Sequence, residues 1–170
     1  MRILRLIIIS FILFFLLGTA FSLMIPSHVR ISKAINIKGD KDTIMAAIKD
    51  PARWKEWYPG QDSTQLLYVD GQVKGVVMKK ADSTELAHII ITKSSADEVN
   101  AEFEGKKQRP VQNVWRTIKY ASNDSVTLQW YMEFHLHWYP WEKFASLMLE
   151  GSYAPIMEKG LHNIKRNVEN

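Results

Sequence analysis

The chain has 170 residues, room for one domain, and a composition (46% hydrophobic, 24% charged) that argues against long disordered stretches. Its formal charge of +4 comes from Lys and Arg scattered among Asp and Glu without a basic run, which excludes a nucleic-acid footprint. The absence of cysteine excludes disulfides, thiolate chemistry, Cys-based zinc sites and acylation at an N-terminal Cys, and leaves the redox compartment open.

From Leu6 to Ile25 the chain reads LIIISFILFFLLGTAFSLMI without a charge. At about 1.5 Å per residue, such a run as a helix matches a hydrocarbon core of about 30 Å. Arg2 and Arg5 precede it with no acid between them, which favours a cytoplasmic N-terminus. Arg30, Lys33, Lys38 and Lys41 follow it and oppose that orientation. The competing reading is a cleaved secretory signal with Ala20-Phe21-Ser22 as its small-x-small site, leaving an exported soluble protein. The apolar run exceeds the usual signal core and continues past that site, which favours a retained single-pass anchor. The expected division is residues 1–25 as anchor and residues 26–170 as one further domain.

After Pro26 the pattern turns to short alternating runs. Val29, Ile31, Ile35 and Ile37 have mostly period-two spacing and predict a first strand. Gly39 to Asp42 predicts a turn with a helix N-cap, followed by a helix over Thr43 to Ile48. Asp50-Pro51 stops it and starts a second short helix carrying Trp54, Trp57 and Tyr58, which Pro59-Gly60 ends. Strands are predicted over 65–69 and 72–79, around the hairpin signal Asp70-Gly71, and then over 84–92, 98–103, 112–121 and 125–138, with a turn at Asn123-Asp124.

The last of these strands alternates most clearly. Val126, Leu128, Trp130, Met132, Phe134, Leu136 and Trp138 share one face, and Thr127, Gln129, Tyr131, Glu133, His135 and His137 the other. Beyond Tyr139-Pro140 the period becomes helical. Phe144, Leu147 and Met148 open a helix whose stripe continues through Ile156, Met157, Leu161, Ile164 and Val168, with bends or interruptions expected at Pro155 and Gly160. A sheet with one apolar face and a long amphipathic helix must bury those faces against each other.

The opening of the domain, Val29-Arg30-Ile31-Ser32-Lys33-Ala34-Ile35-Asn36-Ile37 and then Ile48 through Pro59 with Trp54 and Trp57, resembles START-like proteins of the SRPBCC or polyketide cyclase/dehydrase superfamily. Trp141 to Asn170 is similar to the closing helix of that group, with Gly160-Leu161-His162-Asn163-Ile164-Lys165 matching its "G-L-x-x-I/L-K" segment. The resemblance implies an α+β helix-grip fold, in which a curved antiparallel sheet of about seven strands wraps the C-terminal helix. It also implies a cavity that commonly holds apolar small molecules, and no particular reaction.

Individual residues are then weighed for chemistry. Glu133, His135 and His137 share one strand face at about 6.8 Å per two residues, too far apart for both imidazoles to ligate one ion at about 2.1 Å, so a solvated outer face is expected and no metal site. The ligand-cavity candidates are Trp57, His88, Phe103, Trp115, Trp130, Met132, Phe134, Leu136, Tyr153 and Met157. Trp54, Trp57 and Tyr58 have three readings: the cavity mouth, the membrane interface, or plain packing against the sheet. His88, on a strand face with Leu86 and Ile90, is more often a satisfied core residue than a general base. No nucleophile elbow, phosphate-binding Gly loop, H-E-x-x-H or paired-carboxylate motif is present, so the reading leans away from an enzyme, and no cofactor is expected.

The leading expectation is a membrane-tethered module holding a hydrophobic small molecule or lipid between sheet and C-terminal helix, with the membrane met through residues 6–25. An enzyme acting on such a ligand would need at least two ionisable groups pointing into the cavity. A regulatory or structural partner of another membrane protein would instead show a large exposed apolar patch. Oligomeric state leaves no trace in the sequence.

Overall fold

The structure is a computed structural model and describes residues 2–60, 65–79, 86–105, 109–119 and 125–170. Its first element, α1 (Arg2–Ser22), is one continuous helix whose side chains are almost all exposed. It is long and apolar enough to cross a membrane, and its position near the N-terminus also suits a signal sequence.

Strand β1 (His28–Lys38) alternates exposed and buried positions, with Ile31 and Ile37 in the core. Asp40 then caps α2 (Lys41–Lys49), its carboxylate accepting from the backbone N–H of Asp42 at 3.0 Å and of Thr43 at 3.3 Å. Asp50 caps a 3-10 turn over Pro51–Arg53, which runs straight into α3 (Trp54–Trp57). Two indoles tie this corner together. Trp54 Nε1 donates to the carbonyl of Ile48 at 2.7 Å and Trp57 Nε1 to that of Ala47 at 3.1 Å, so both satisfy carbonyls that α2 leaves open at its C-terminal end.

The remaining strands are β2 (Gln65–Val69), β3 (Gln72–Lys79), β4 (Leu86–Ser94), β5 (Glu98–Gly105), β6 (Val111–Lys119) and β7 (Ser125–His135). All pairings are antiparallel, in the spatial order β1-β7-β6-β5-β4-β3-β2. The hairpin at Asp70-Gly71 forms as expected, with both residues at positive φ (53° and 76°), the conformation a two-residue turn requires. The expected turn at Asn123-Asp124 lies outside the described residues, as do the expected first two residues of β4 and last two of β6.

The chain closes with α4 (Pro140–Ser146) and α5 (Leu149–Glu169), the latter lying across β1 and against α2 and α3. This is the expected α+β helix-grip arrangement. Lys33, on the inner face of the edge strand β1, pairs with Glu158 of α5 at 3.0 Å, and Asn163 Nδ2 donates to the carbonyl of Trp57 at 3.1 Å.

Three expectations need correction. Strand β7 ends at His135 rather than Trp138, because its partner β1 begins at His28, opposite His135, and past that pair the last link between the two segments is the Leu136 N–H donating to the Ser27 carbonyl at 2.8 Å. Trp138 is therefore exposed instead of facing the core. The C-terminal helix is two helices: i→i+3 hydrogen bonds to Leu147 and Met148 tighten the end of α4, leaving Phe144, Leu147 and Met148 outside the core. Finally, of the bends or interruptions expected at Pro155 and Gly160 there is no interruption, since α5 runs continuously through both. Gly151, whose carbonyl loses the N–H that Pro155 lacks, is exposed, so that group is open to water.

Candidate functional site

The inner face of the sheet is built in rows set by strand register. One row runs Val99, Trp115, Trp130, Lys33; the next runs Ile91, Ala101, Asn113, Met132, Ile31. A third pairs Ile89 with Phe103 and Phe103 with Val111, and places Phe134 opposite Val29. Each row plays a different part.

The Trp115–Trp130 row is closed by aromatic packing. Their rings lie 5.4 Å apart, and Trp57 meets both nearly edge-on at 5.9 Å and 6.1 Å, while Tyr58 lies 5.1 Å from Trp130. Trp54, Trp57, Trp115 and Trp130 are fully buried, as are Met132 and Met157. Of the three readings open for Trp54, Trp57 and Tyr58, the structure takes packing: none of these rings reaches a surface where a bilayer could meet it. Burial pushes the Tyr58 hydroxyl well above its ordinary pKa, so it stays protonated.

Space opens one row further along, at the end of the grip where β7 leaves the sheet. A pocket of about 170 Å³ lies between Val111, Phe134 and Leu136 on the sheet side and Leu149 and Tyr153 on α5. Tyr153 packs on Phe134 with ring centroids 5.0 Å apart, and burial raises its hydroxyl pKa. Of the ligand-cavity candidates the structure brings together Phe134, Leu136 and Tyr153 here, with Phe103 on the adjacent strand beside Val111. Trp57, Trp115, Trp130, Met132 and Met157 belong to the packed core and do not line this pocket. A second crevice of about 500 Å³, at Asp40, Lys41, Asp97 and Lys119, is walled by charged groups and holds the Lys41–Asp97 ion pair, so it does not suit an apolar guest.

His88 is placed differently from its expectation. It pairs with Val77 and Glu104 on the face opposite Ile89, so its ring points away from the inner surface of the grip, and its Nδ1 is buried without a hydrogen-bond partner among the described residues. On the inner face, Asn113 Oδ1 accepts from Trp130 Nε1 at 3.2 Å, and among the described residues Asn113 Nδ2 is a buried donor without a partner, like Trp115 Nε1. Two unpaired donors on consecutive inward positions of β6 are unusual in a native core.

The polar end of the pocket is a chain of three groups. Arg109 Nε donates to His137 Nε2 at 3.0 Å, so the neutral imidazole carries its proton on Nδ1 and donates it to the carboxylate of Glu142 at 3.0 Å. The same carboxylate accepts from the His137 backbone N–H at 2.5 Å. Burial works against the charge on Glu142, but these hydrogen bonds and Arg109 hold its pKa below the ordinary 4.5. His137 thus leaves the strand face it was expected to share with Glu133 and His135. Glu133 accepts instead from Arg30, and His135 stacks on His28 at 4.6 Å.

Sequence reasoning missed Arg109, Val111, His137, Glu142 and Leu149 as pocket residues. For Glu142 a signal exists: a Glu at the third helical position after Tyr139-Pro140 is placed to reach back to a free backbone N–H. Arg109 and Leu149 carry no such mark.

The profile of the polyketide cyclase / dehydrase and lipid transport family matches residues 28–169. Among solved structures, the Zhui aromatase/cyclase from Streptomyces sp. R1128 superposes with a TM-score of 0.63 at 12% identity, covering 84% of this chain and 94% of that one. A START superfamily protein from Mycobacterium smegmatis gives 0.60 at 15% identity, covering 82% and 97%. XoxI from Bacillus cereus gives 0.63 at 10% identity, covering 84% and 96%. At these identities the likeness is one of fold. No curated protein matches the chain in sequence.

Proposed function

The chain belongs to the polyketide cyclase / dehydrase and lipid transport family, and from that premise we propose that it is a membrane-tethered module binding a hydrophobic small molecule or lipid segment in the pocket between β7 and the start of α5. The observation that carries the reading is the lining of that pocket: Val111, Phe134, Leu136, Leu149 and Tyr153 form an apolar wall, and Arg109, His137 and Glu142 close one end. An apolar cavity of about 150 Å³ is enough to hold benzene. At about 170 Å³ this pocket suits one ring or a short acyl segment, with any polar end of the guest directed at Arg109.

In this reading α1, residues 2–22, is a retained anchor with its N-terminus in the cytoplasm, and residues 26–170 form the ligand-binding domain. The support is the length and apolarity of α1 together with its short, hydrogen-bonded junction to the domain.

The ionisable chain Arg109–His137–Glu142 favours one alternative, an enzyme acting on the bound guest. A carboxylate that orients an imidazole through Nδ1 is a common general-base arrangement. For that role His137 Nε2 would have to be released by Arg109, which now occupies it.

Native mass spectrometry of the full chain released from lipid nanodiscs tests the first reading. A retained apolar molecule, displaced by an added hydrophobic probe, is the expected result. A chain that carries nothing and gains no thermal stability from apolar probes overturns it. Turnover of the retained molecule that disappears in His137→Gln would favour the enzyme.

A further inference from the structure

Helix α4 is built inside out. Its positions facing the domain are Pro140, Lys143 and Ser146, all buried, whereas its outward positions carry large apolar side chains. Trp141 is 62% exposed, Phe144 44%, Leu147 68% and Met148 74%, and Trp138, just before the helix, is 61% exposed. Tyr139 stacks flat on Trp141, with centroids 4.8 Å apart and planes within 9°. A soluble surface rarely gathers so many large apolar groups in one place, and an amphipathic helix with its polar face inward has no reason to fold that way in water.

The position of this patch identifies what covers it. Helix α4 packs against α1, and the Lys143 ammonium, buried on the inner side of α4, donates at 2.7 Å both to the carbonyl of Ile25 and to the hydroxyl of Ser27. The exposed Leu23 and Met24 lie in the same short junction. The exposed apolar side chains of α1, of Leu23 and Met24, and of the outward face of α4 thus lie on segments that adjoin one another. Trp and Tyr collect at the boundary between hydrocarbon and water, and a short helix with one apolar face lies in that layer.

We propose that Trp138, Trp141, Phe144, Leu147 and Met148 are inserted in the interfacial layer of the bilayer, so that α4 lies along the membrane surface and holds the pocket mouth against it. The proposal rests on reading α1 as a bilayer span. Its consequence is geometric: Leu136, His137 and Glu142 line the pocket and flank or belong to the inserted segment, so a lipid segment could enter without crossing water.

The tryptophans provide the test. Of the six in the chain, Trp54, Trp57, Trp115 and Trp130 are fully buried, and Trp138 and Trp141 are the exposed pair. The full chain is reconstituted in phosphatidylcholine/phosphatidylglycerol vesicles whose lipids carry bromine near the top of the acyl chains. Bromolipid is expected to quench part of the emission, while aqueous iodide quenches little of it. In Trp138→Phe/Trp141→Phe the bromolipid quenching should vanish while the buried emission remains. Leu147→Glu/Met148→Glu, which leaves every indole in place, should lower bromolipid quenching at least two-fold and raise iodide quenching. Emission quenched by iodide and not by bromolipid overturns the proposal. Emission shielded from both overturns it as well, in favour of a protein partner or a second copy on the patch. Resistance to alkaline carbonate extraction, with the mass of the extracted chain, reports on α1 separately. Loss of retention with bromolipid quenching intact removes the span and keeps the interfacial contact, whereas retention without quenching removes the contact alone.

Discussion

Gly160 lies against Trp130 so closely that a Cβ there would stand 2.8 Å from Cζ3 of the indole and 3.2 Å from Cδ of Pro59. This contact sets how near α5 comes to the sheet. The indole cannot yield easily, since Trp57, Tyr58 and Trp115 pack around it.

Gly160→Ala should therefore destabilise the domain. Alanine gains about 1 kcal/mol in helix propensity, but overpacking against a rigid ring costs about 1–3 kcal/mol. A net loss of about 1 kcal/mol is expected in the denaturation midpoint, followed by tryptophan emission. Gly151→Ala, with no neighbouring atom within 4 Å of the new Cβ, should raise the midpoint instead. Equal shifts for the two variants would contradict this account of α5.

Lys143→Met keeps most of the side-chain volume and removes both hydrogen bonds to the junction. Leaving the Ile25 carbonyl without its partner should cost about 1–3 kcal/mol locally. Hydrogen exchange across residues 22–28 should accelerate, with β5 and β6 unchanged. Unaltered exchange in that stretch would show that Lys143 does not hold the junction.

The Glu142 carboxyl has a lowered pKa in the folded state, so it contributes stability that is present above its unfolded value, near 4.5, and is lost as pH falls through the folded value. The stability difference between the unsubstituted chain and Glu142→Gln should thus shrink as the solution is acidified below 4.5. Thermal midpoints at a series of pH values measure it. A difference that grows on acidification would reverse the assignment.

Leu149→Trp places an indole in the pocket at the first turn of α5. Binding of a small fluorescent apolar probe should fall at least ten-fold while the midpoint moves by less than about 1 kcal/mol, because the added ring enters open space rather than a packed core. Probe binding that survives the substitution would place the guest elsewhere.

Much of the fold was legible in the residues. Period-two alternation in β1 and β7, the Asp40 cap and the Asp70-Gly71 turn are local properties, and local properties can be read from local sequence. The pocket was only partly legible. Phe134 and Leu136 follow from the alternation of β7, but Arg109 and Leu149 reach the same space from segments far apart in the chain, and no spacing rule joins them.

Tryptophan shows where sequence reading ends. All six residues are equally apolar by composition, yet α3 carries its pair into the core while Trp138 and Trp141 remain outside. What divides them is the end of β7 at His135, a consequence of where β1 begins to pair, and the buried Lys143, which turns α4 polar side inward. The sequence by itself determined that the N-terminal segment is an uninterrupted apolar helix and that an alternating sheet must cover an amphipathic one. Only the tertiary structure decided which aromatic rings that sheet would enclose, because burial depends on strand partners and helix contacts that lie more than a hundred residues apart along the chain.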